Sequence, residues 1–396
     1  MMKKRALGLA VMAASIMAVA QAEVKIGFLG GFTGPIESLA PPIFEAAKVA
    51  IAQVNNQGGL LDGQIITMPS ADTTCVDASA ASNGADRLVN TDGVVAIVGA
   101  LCSGSTVAAA NNVAVPAGVV MVSPASTSPA LTGLNDNDMV FRTAPSDAYQ
   151  GEMLAKLLES KGIDEIAITY VNNDYGKGFA DALESAFSGT VTAKEAHEDG
   201  KADYRAELGS LASTGTQTLV VLAYADGSGQ TIMRQAYEAG DFTQFVGGDG
   251  MVGQKIIDAV GADVLDGMIA TKPGIPDIPG LDAFEKAMTS LALDPKSVFA
   301  GQAYDAAFLL ALAIEENGST DRDGLAAALR KVSSAPGAVV LPGEWEKAKK
   351  LIAAGKDINY QGASGNHEFD SSGDVPGVIV EMVVENGSFV EKSVLK

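Results

Sequence analysis

Short apolar runs rich in valine and isoleucine alternate with longer segments whose apolar residues recur at helical spacing. The first run, residues 24–30, precedes a segment that begins at Pro41-Pro42 and stops at Gly58-Gly59, which predicts a strand followed by a helix. Further runs with strand character cover residues 64–69, 94–99, 118–123, 166–171, 219–223 and 377–384. Runs of this kind suit strands that are buried on both faces of a parallel sheet. The pattern therefore predicts the α/β fold class.

The helical segments and one proline-rich segment indicate how the chain is divided. A second block of alternating elements begins near Ala144, and residues 272–279 carry three prolines, which predicts a crossover or hinge. A chain of 396 residues is too long for one ordinary core, and it favours two lobes of about 150 residues or more with a cleft between them. Helices are predicted over residues 146–160, 232–239, 281–293, 303–316 and 324–332.

The amino-terminal 22 residues have the pattern of a secretory signal peptide. Three basic residues, Lys3 to Arg5, precede an apolar run over residues 6–20, and Ala20-Gln21-Ala22 forms a small-residue cleavage site. We predict cleavage after Ala22 and export of the remainder, because no later apolar run reaches the length of about 18 residues expected of a membrane span. An uncleaved anchor is the alternative, although the apolar run is shorter than the roughly 20 residues that a spanning helix needs.

The chain is acidic, with a formal net charge of −21 at pH 7. A surface of this charge repels the phosphate groups of nucleic acids and of anionic lipids. We therefore expect neither nucleic acid nor a membrane surface as a partner.

Cysteines and histidines are too few to indicate a metal centre. Cys75 and Cys102 are the only cysteines, and in an oxidising compartment such a pair favours a disulfide over two free thiols. The only histidines, His197 and His367, are not spaced as a ligand pair and lie in polar segments that we expect to be exposed. Neither a GxSxG nor an HExxH motif nor a P-loop occurs, and the glycines near the first predicted strand, namely Gly27, Gly30, Gly31 and Gly34, do not form a GxGxxG motif. We therefore expect a binding protein rather than an enzyme, with neither metal nor cofactor.

Polar loops follow the predicted strands, at the edge where open α/β sheets bind their ligands. Residues 101–106 and 123–129 are rich in hydroxyl groups and suit an anion such as a carboxylate, although helix capping is the simpler explanation for any single serine. Residues 172–176, 224–227 and 247–250 carry carboxylates and tyrosines instead. Hydroxyls on one side of a cleft and carboxylates on the other suit a zwitterion, of which an amino acid is the simplest.

The order and spacing of these loops resemble those of periplasmic binding proteins of the branched-chain amino acid (leucine/isoleucine/valine) type, the receptor components of ABC transporters. The resemblance implies two doubly wound parallel-sheet lobes of the type I periplasmic binding fold, joined by three hinge crossovers around a cleft. It assigns residues 23–143 with 273–375 to lobe 1 and residues 144–272 with 376–396 to lobe 2. The motifs that carry it run over nearly the whole chain after residue 22 and include Thr33-Gly34-Pro35, Asn55-Asn56-Gln57-Gly58-Gly59, Leu101-Cys102-Ser103-Gly104-Ser105-Thr106, Ser123-Pro124-Ala125-Ser126-Thr127, Asp174-Tyr175-Gly176-Lys177-Gly178 and Phe369-Asp370-Ser371-Ser372-Gly373-Asp374.

The same resemblance implies which residues bind the two ends of an amino acid. Its carboxylate would contact Ser103 and the loop formed by Ala125, Ser126 and Thr127. Its ammonium would contact the Ala125 carbonyl and Asp249, where relatives often have glutamate.

Further positions follow from the resemblance in the same way. Tyr175 and Tyr224 match the aromatic residues that the second lobe places over the ligand, and Asp147 is an additional candidate for the site. Cys75 and Cys102 match the disulfide of the family, in agreement with the interpretation of the cysteines above.

These features predict a periplasmic solute-binding protein of an ABC importer. It would close over a branched-chain or other aliphatic amino acid, act as a monomer and deliver its ligand to a membrane permease. Residues 38–42 lack the aromatic residue that leucine-binding members often carry there, and Leu39 would line the pocket instead. A different ligand, namely γ-aminobutyrate, an aromatic carboxylate, an amide or urea, is therefore an alternative. A ligand-sensing module for a signalling partner is another.

Overall fold

The computed structural model describes residues 23–396. The predicted signal peptide lies outside the described residues. The strands are β1 (Glu23–Gly30), β2 (Ile65–Thr67), β3 (Ser70–Asp72), β4 (Ala96–Gly99), β5 (Val120–Ser123), β6 (Val140–Arg142), β7 (Glu165–Val171), β8 (Thr190–His197), β9 (Thr218–Leu222), β10 (Gln244–Gly247), β11 (Ile269–Pro273), β12 (Ala338–Val340), β13 (Ile358–Tyr360), β14 (Ile379–Glu385) and β15 (Ser388–Leu395). The α-helices are α1 (Ala40–Asn56), α2 (Ala78–Asp86), α3 (Ser103–Ala109), α4 (Asp147–Ser160), α5 (Asp174–Ala186), α6 (Arg205–Ala212), α7 (Ser228–Ala239), α8 (Gln254–Val260), α9 (Ala262–Leu265), α10 (Pro279–Ser290), α11 (Ala300–Asn317), α12 (Leu325–Ser333) and α13 (Trp345–Ala353).

The first sheet has the strand order β2-β1-β4-β5-β6, and β3 also pairs with β1. All of its pairings are parallel, and β4 and β5 are buried along their whole length. The strand predicted over residues 64–69 is only β2, and β3 follows it as a separate strand. The two strands are separated at Pro69, because a proline has no N–H to donate to the hydrogen-bond ladder. Its carbonyl still accepts a hydrogen bond from the Phe28 N–H at 2.8 Å.

The second sheet has the strand order β15-β14-β11-β10-β9-β7-β8. Its strands from β7 to β11 are parallel, whereas β14 pairs antiparallel with both β11 and β15. The predicted parallel sheet is therefore confirmed for the body of this lobe, and its last edge is antiparallel. Asn386 and Gly387, with φ of 53° and 77°, form the two-residue turn that joins β14 to β15 and allows this antiparallel pairing.

The chain passes between the two sheets three times: after β6, after β11 and before β14. The second passage begins at Pro273, the last residue of β11, inside the predicted proline-rich crossover. Helix α11 returns to the first sheet and packs between α1, α12, β4 and β5. Its alanine-rich sequence lets these neighbours approach closely, so most of the helix is buried. The residue boundaries of the two lobes stay a prediction.

The predicted helices are present, with shifts at their ends. The helix predicted over residues 146–160 is α4, and Ser146 is its cap, with its Oγ accepting a hydrogen bond from the Ala148 N–H at 3.2 Å. The helix predicted over residues 303–316 begins earlier, at Ala300. Within residues 23–396, no helix is long and apolar enough to cross a membrane.

Both histidines are buried, so the expectation that they lie in exposed segments was wrong. His197 is 2 % exposed and His367 is 1 % exposed. His197 lies between the hydroxyl groups of Thr169 and Ser228, at 2.7 and 2.9 Å. The charged residues next to His197 in the sequence suggested exposure. They do not indicate how His197 is buried, because successive side chains of a strand face opposite sides.

His367 belongs to a buried cluster around the carboxylate of Asp305 on α11. Asp305 accepts hydrogen bonds from Tyr360, from the Ala363 N–H, from both the N–H and the hydroxyl of Ser364, and from His367, at 2.6 to 2.8 Å. The Ser364 hydroxyl donates to Asp305 and not to His367. Ser364 and His367 are therefore not arranged as a nucleophile and its base. The cluster instead fixes the loop after β13 to α11.

The burial of His197 makes the stability of the protein depend on pH. Burial lowers the pKa of His197 from the usual 6.5 to about 4, because a charged imidazole would lose its solvation. The neutral side chain therefore contributes stability that is complete above about pH 6.5 and is lost as the pH falls towards 4. We expect the free energy of unfolding to fall by up to about 3 kcal/mol over that range in urea denaturation. A His197→Gln variant should lose less over the same range, and equal losses in both proteins would contradict this assignment.

Candidate ligand-binding cleft

A cavity lies between the two lobes, where the carboxyl ends of strands from both sheets meet. Residues of the first lobe reach it from the loops after β4 and β5, and residues of the second lobe reach it from the loops after β7, β9 and β10. Of the nine predicted ligand contacts, all but Ser126, Thr127 and Asp147 line it. The lining residues are Ile36, Leu39, Ile43, Leu101, Cys102, Ser103, Ala125, Tyr175, Tyr224, Asp249, Gly250 and Phe299.

On the first-lobe side, Ser103 is the first residue of α3. Its Oγ accepts a hydrogen bond from the Ser128 N–H at 3.2 Å, which leaves the hydroxyl hydrogen free to donate. The N–H groups in the first turn of a helix have no acceptor inside that helix. Ala125 also lines the cavity, and its carbonyl oxygen accepts no hydrogen bond from any described residue. This side therefore offers donors to an anion and one free acceptor.

Ser126 and Thr127 are fully buried behind the cavity. The Ser126 hydroxyl is hydrogen bonded to the Thr106 hydroxyl at 2.7 Å and to the Ala100 carbonyl at 3.2 Å. The Thr127 carbonyl accepts a hydrogen bond from the Asp147 N–H at 2.7 Å. Both residues therefore hold the loop after β5 in place, and their side chains do not line the cavity.

On the second-lobe side, two tyrosines and one aspartate form a connected group. The rings of Tyr175 and Tyr224 are stacked, with centroids 5.2 Å apart. The Tyr175 hydroxyl donates to Asp249 Oδ1 at 3.3 Å and accepts from the Gly250 N–H at 3.2 Å. A Cβ at Gly250 would lie 2.6 Å from the Ala223 carbonyl, so only glycine fits there. Burial raises the pKa of both tyrosines, which keeps their hydroxyls neutral.

Asp147 and Gln150 lie on α4 and extend this group behind Asp249. Gln150 Nε2 donates to Asp249 Oδ1 at 3.0 Å and to the Thr271 carbonyl at 3.1 Å. Burial raises the pKa of Asp249 to about 7. Burial and the neighbouring Asp249 carboxyl raise the pKa of Asp147 well above its usual range. An ammonium group next to Asp249 would meet a carboxylate in an interior where opposite charges attract more strongly than in water.

Hydrogen bonds across the mouth of the cleft hold the lobes together. Asp226 Oδ2 accepts from the Ser38 N–H at 2.8 Å and from the Ser38 hydroxyl at 2.6 Å. The Asp226 N–H donates to the Pro35 carbonyl at 3.1 Å. Elsewhere in the cleft, the Ser128 hydroxyl donates to the Asp174 carbonyl at 2.8 Å. Each of these bonds joins one lobe to the other, so the structure represents a closed form.

The sequence motifs did not identify Phe299 and Gln150 as part of this site. Phe299 lies directly before α11, and it supplies to the cavity the aromatic ring that residues 38–42 lack. No signal along the chain marks it, because it is far in sequence from every other lining residue. Gln150 could have been found from its position one helical turn after Asp147, since residues three apart share a helix face.

Cys75 and Cys102 form the predicted disulfide, with their Cα atoms 5.5 Å apart. Cys102 immediately precedes α3 and lines the cavity. The bond therefore ties the loop that carries Ser103 to the loop after β3, and it stabilises part of the cleft directly.

A cavity between two lobes, with donors on one wall and a buried carboxyl on the other, defines a protein that binds a small molecule. The part of the chain that the structure describes has no group of three or more histidine, cysteine, aspartate or glutamate side chains placed to hold a metal ion. The chain matches the family model described as "Receptor family ligand binding region" over residues 43–384. It belongs to this family.

Three relatives with named ligands are similar over most of the chain. The leucine-, isoleucine-, valine-, threonine- and alanine-binding protein of Pseudomonas aeruginosa is 31% identical over 312 residues, which cover 78% of this chain and 82% of that protein. The Leu/Ile/Val-binding protein of Escherichia coli is 30% identical over 304 residues, covering 76% and 81%. The crystal structure of the leucine binding protein LivK of Thermotoga maritima superposes with a TM-score of 0.80 at 25% identity, covering 94% of this chain and 99% of that one.

Removing the disulfide should destabilise the first lobe. The bond closes a loop with a sequence separation of 27, and a loop of this size contributes about 3 to 4 kcal/mol in the chain-entropy model. We expect the double variant Cys75→Ala, Cys102→Ala to lose a free energy of unfolding of that size in urea denaturation. Reductant should cause a similar loss in the wild type and no further loss in the double variant. A double variant as stable as the wild type would contradict the prediction.

Asp226→Ala should shift the ligand-free protein towards an open form. The substitution removes both hydrogen bonds from Ser38, each of which contributes about 1 kcal/mol net, and the closed state loses that stabilisation. We expect the radius of gyration in small-angle X-ray scattering to increase. Asp241→Ala, which removes an exposed carboxylate outside the cleft, is the matched control. An unchanged scattering curve for Asp226→Ala would show that these bonds do not hold the lobes closed.

Proposed function

We propose that this protein is the solute-binding component of an ABC importer and that it captures a branched-chain or other aliphatic amino acid by closing its lobes. The ligands in the names of its Pseudomonas and Escherichia relatives support this proposal. A ligand that contacts both walls of the cleft would stabilise the closed form relative to the open one. The closed form would then dock on the permease.

The proposal of an amino acid depends on one observation, which is that Ser103 and Asp249 line the same cavity from opposite lobes. An α-carboxylate would bind at Ser103 and the first turn of α3, and an ammonium would bind between Asp249 and the Ala125 carbonyl. No lysine or arginine lines the cavity, so an acid without an amino group would face Asp249 with no compensating charge. The apolar part of the lining suits an aliphatic side chain and comprises Ile36, Leu39, Ile43, Leu101 and Phe299.

The rest of the proposal concerns where the protein works. The signal peptide pattern supports export to the periplasm after cleavage behind Ala22, where the protein would act as a monomer. Delivery to a membrane permease follows from its place in an importer. The names of its relatives describe binding proteins, which supports binding rather than catalysis.

A ligand screen tests this function. The mature protein, refolded to remove bound ligand, is melted with each of the common amino acids, γ-aminobutyrate, aromatic carboxylates, short amides and urea. A ligand at 100 times its Kd adds about 2.7 kcal/mol of stability, which gives a measurable rise in Tm. We expect leucine, isoleucine or valine to give the largest rise. A rise with non-amino compounds alone would contradict the assignment of Asp249 to an ammonium group.

Two variants then test which residue binds each end of the ligand. Asp249→Ala should weaken binding of the best amino acid by about 2 to 5 kcal/mol in calorimetry, because it removes the partner of a buried ammonium. Ser103→Ala should cost less, about 1 to 3 kcal/mol, because neighbouring N–H donors remain. Asp241→Ala should leave the affinity unchanged. Near-native affinity of Asp249→Ala would remove this residue from the site.

A further inference from the structure

Two neighbouring carboxyl groups, those of Asp147 and Asp249, are buried at the second-lobe wall of the cleft. Asp147 is 0 % exposed and Asp249 is 3 % exposed. Asp249 lines the cavity, whereas Asp147 does not. Each carboxyl group therefore interacts electrostatically with the other in the protein interior, but only that of Asp249 is accessible to a ligand.

The charged and titratable neighbours of this pair provide no free positive charge. Arg142 on β6 faces Asp147, but its guanidinium forms two hydrogen bonds of 2.7 Å to Asp374 and donates to main-chain carbonyls of the loop after β5 at 2.9 Å. Tyr175 on α5 and Tyr224 after β9 face Asp249, and burial keeps both neutral. No lysine or histidine within residues 23–396 forms an ion pair with either carboxyl. The pair would carry two uncompensated negative charges if both groups ionised.

The two carboxyl groups differ in the donors that they receive. Asp249 Oδ1 accepts hydrogen bonds from Gln150 Nε2 and from the Tyr175 hydroxyl. The Thr127 hydroxyl is the nearby donor for Asp147, but neither this hydroxyl nor either carboxyl oxygen of Asp147 forms a hydrogen bond of acceptable length and angle. The start of α4, the Thr127 hydroxyl and Arg142 favour a negative charge on Asp147 weakly, whereas burial and the neighbouring Asp249 carboxyl oppose it more strongly. Of the two groups, Asp249 is therefore the one that ionises.

We propose that Asp147 stays protonated, that Asp249 alone supplies the negative charge for the ligand, and that an amino acid displaces a proton from Asp249 when it binds. This inference rests on the proposed function. The bond that breaks is the O–H bond of the Asp249 carboxyl, and its proton leaves to solvent. The bond that forms is an ion pair between the Asp249 carboxylate and the ammonium of the zwitterion. Asp147 does not line the cavity, so it neither contacts the ligand nor adds a charge to the site.

The sign of the pH dependence follows from the state of Asp249 in the empty cleft. Burial raises the pKa of this carboxyl to about 7, and an ammonium partner lowers it again in the complex. Above about pH 7 the carboxylate is already present, so affinity is constant and no proton is released. Below about pH 7 the ligand must displace the proton. Affinity then falls by about tenfold for each pH unit, and close to one proton is released per ligand.

Calorimetry with L-leucine as the probe measures both quantities on the wild-type protein. Titrations at about pH 6 in buffers of different ionisation enthalpy should give an observed enthalpy that varies with the buffer, with a slope of close to one proton released. Between about pH 8 and about pH 5 the Kd should increase by about 100-fold. An observed enthalpy that is independent of the buffer, or a constant Kd, would overturn the proposal. Failure of L-leucine and of every screened amino acid to bind at any pH would instead refute the proposed function.

Two isosteric variants separate the roles of the two aspartates. Asp147→Asn mimics the protonated side chain, so it should keep the affinity at about pH 8 within about threefold and retain the same dependence on pH. Asp249→Asn should bind at least about 100-fold more weakly at about pH 8 and lose the dependence on pH, with no proton released. A 100-fold loss in a folded Asp147→Asn would show that Asp147 is charged and would overturn the proposal. Both variants contain His197, so its protonation is common to them and does not affect the comparison. The measurement of proton release on the wild type does not depend on either variant folding.

Discussion

Parallel strands need crossover connections, and this requirement places the carboxyl ends of all such strands on one edge of their sheet. In this protein two of these edges face each other across a cleft. Ser103 follows β4, Ala125 follows β5, Tyr224 follows β9 and Asp249 follows β10. The polar groups of the site therefore come from distant parts of the chain, but strand direction brings all of them to the same place.

Closure of the cleft is held by a small number of polar contacts. The hydrogen bonds between Asp226 and the loop before α1, and between Ser128 and Asp174, each join opposite lobes. Contacts of this kind contribute about 1 kcal/mol each, net of lost water, so they favour the closed form only modestly. A ligand that contacts both walls would further stabilise the closed form. A ligand shifts an equilibrium between open and closed forms only by as much as its contacts favour the closed form.

Three buried aspartates differ in the number of hydrogen bonds that their carboxyl groups accept. Asp305 accepts five hydrogen bonds and connects α11 to the loop after β13. Asp249 accepts two and faces a cavity, and Asp147 accepts none. Buried polar groups in native proteins almost always have partners. Burial without such partners favours the neutral, protonated form of Asp147 and leaves a negative charge to Asp249.

Residue spacing predicted the alternation of strands and helices and the loops that carry the site, because buried strands appear as continuous apolar runs. It also predicted the disulfide between Cys75 and Cys102, because each cysteine of a lone pair has only one possible partner. A hairpin-type turn at residues 385–388 was predicted and is the one that joins β14 to β15. The antiparallel pairing of β14 with β11 was not predicted, since the direction of β14 depends on where the chain re-enters that lobe. Nor did residue spacing predict the burial of His197 or the place of Phe299 in the cavity. The sequence by itself determined the order of the elements and the chemistry available at their ends. Only the tertiary structure decided which of those groups line the cavity and which are buried behind it, because contacts between residues far apart in the chain determine burial, and burial determines hydrogen bonding and charge.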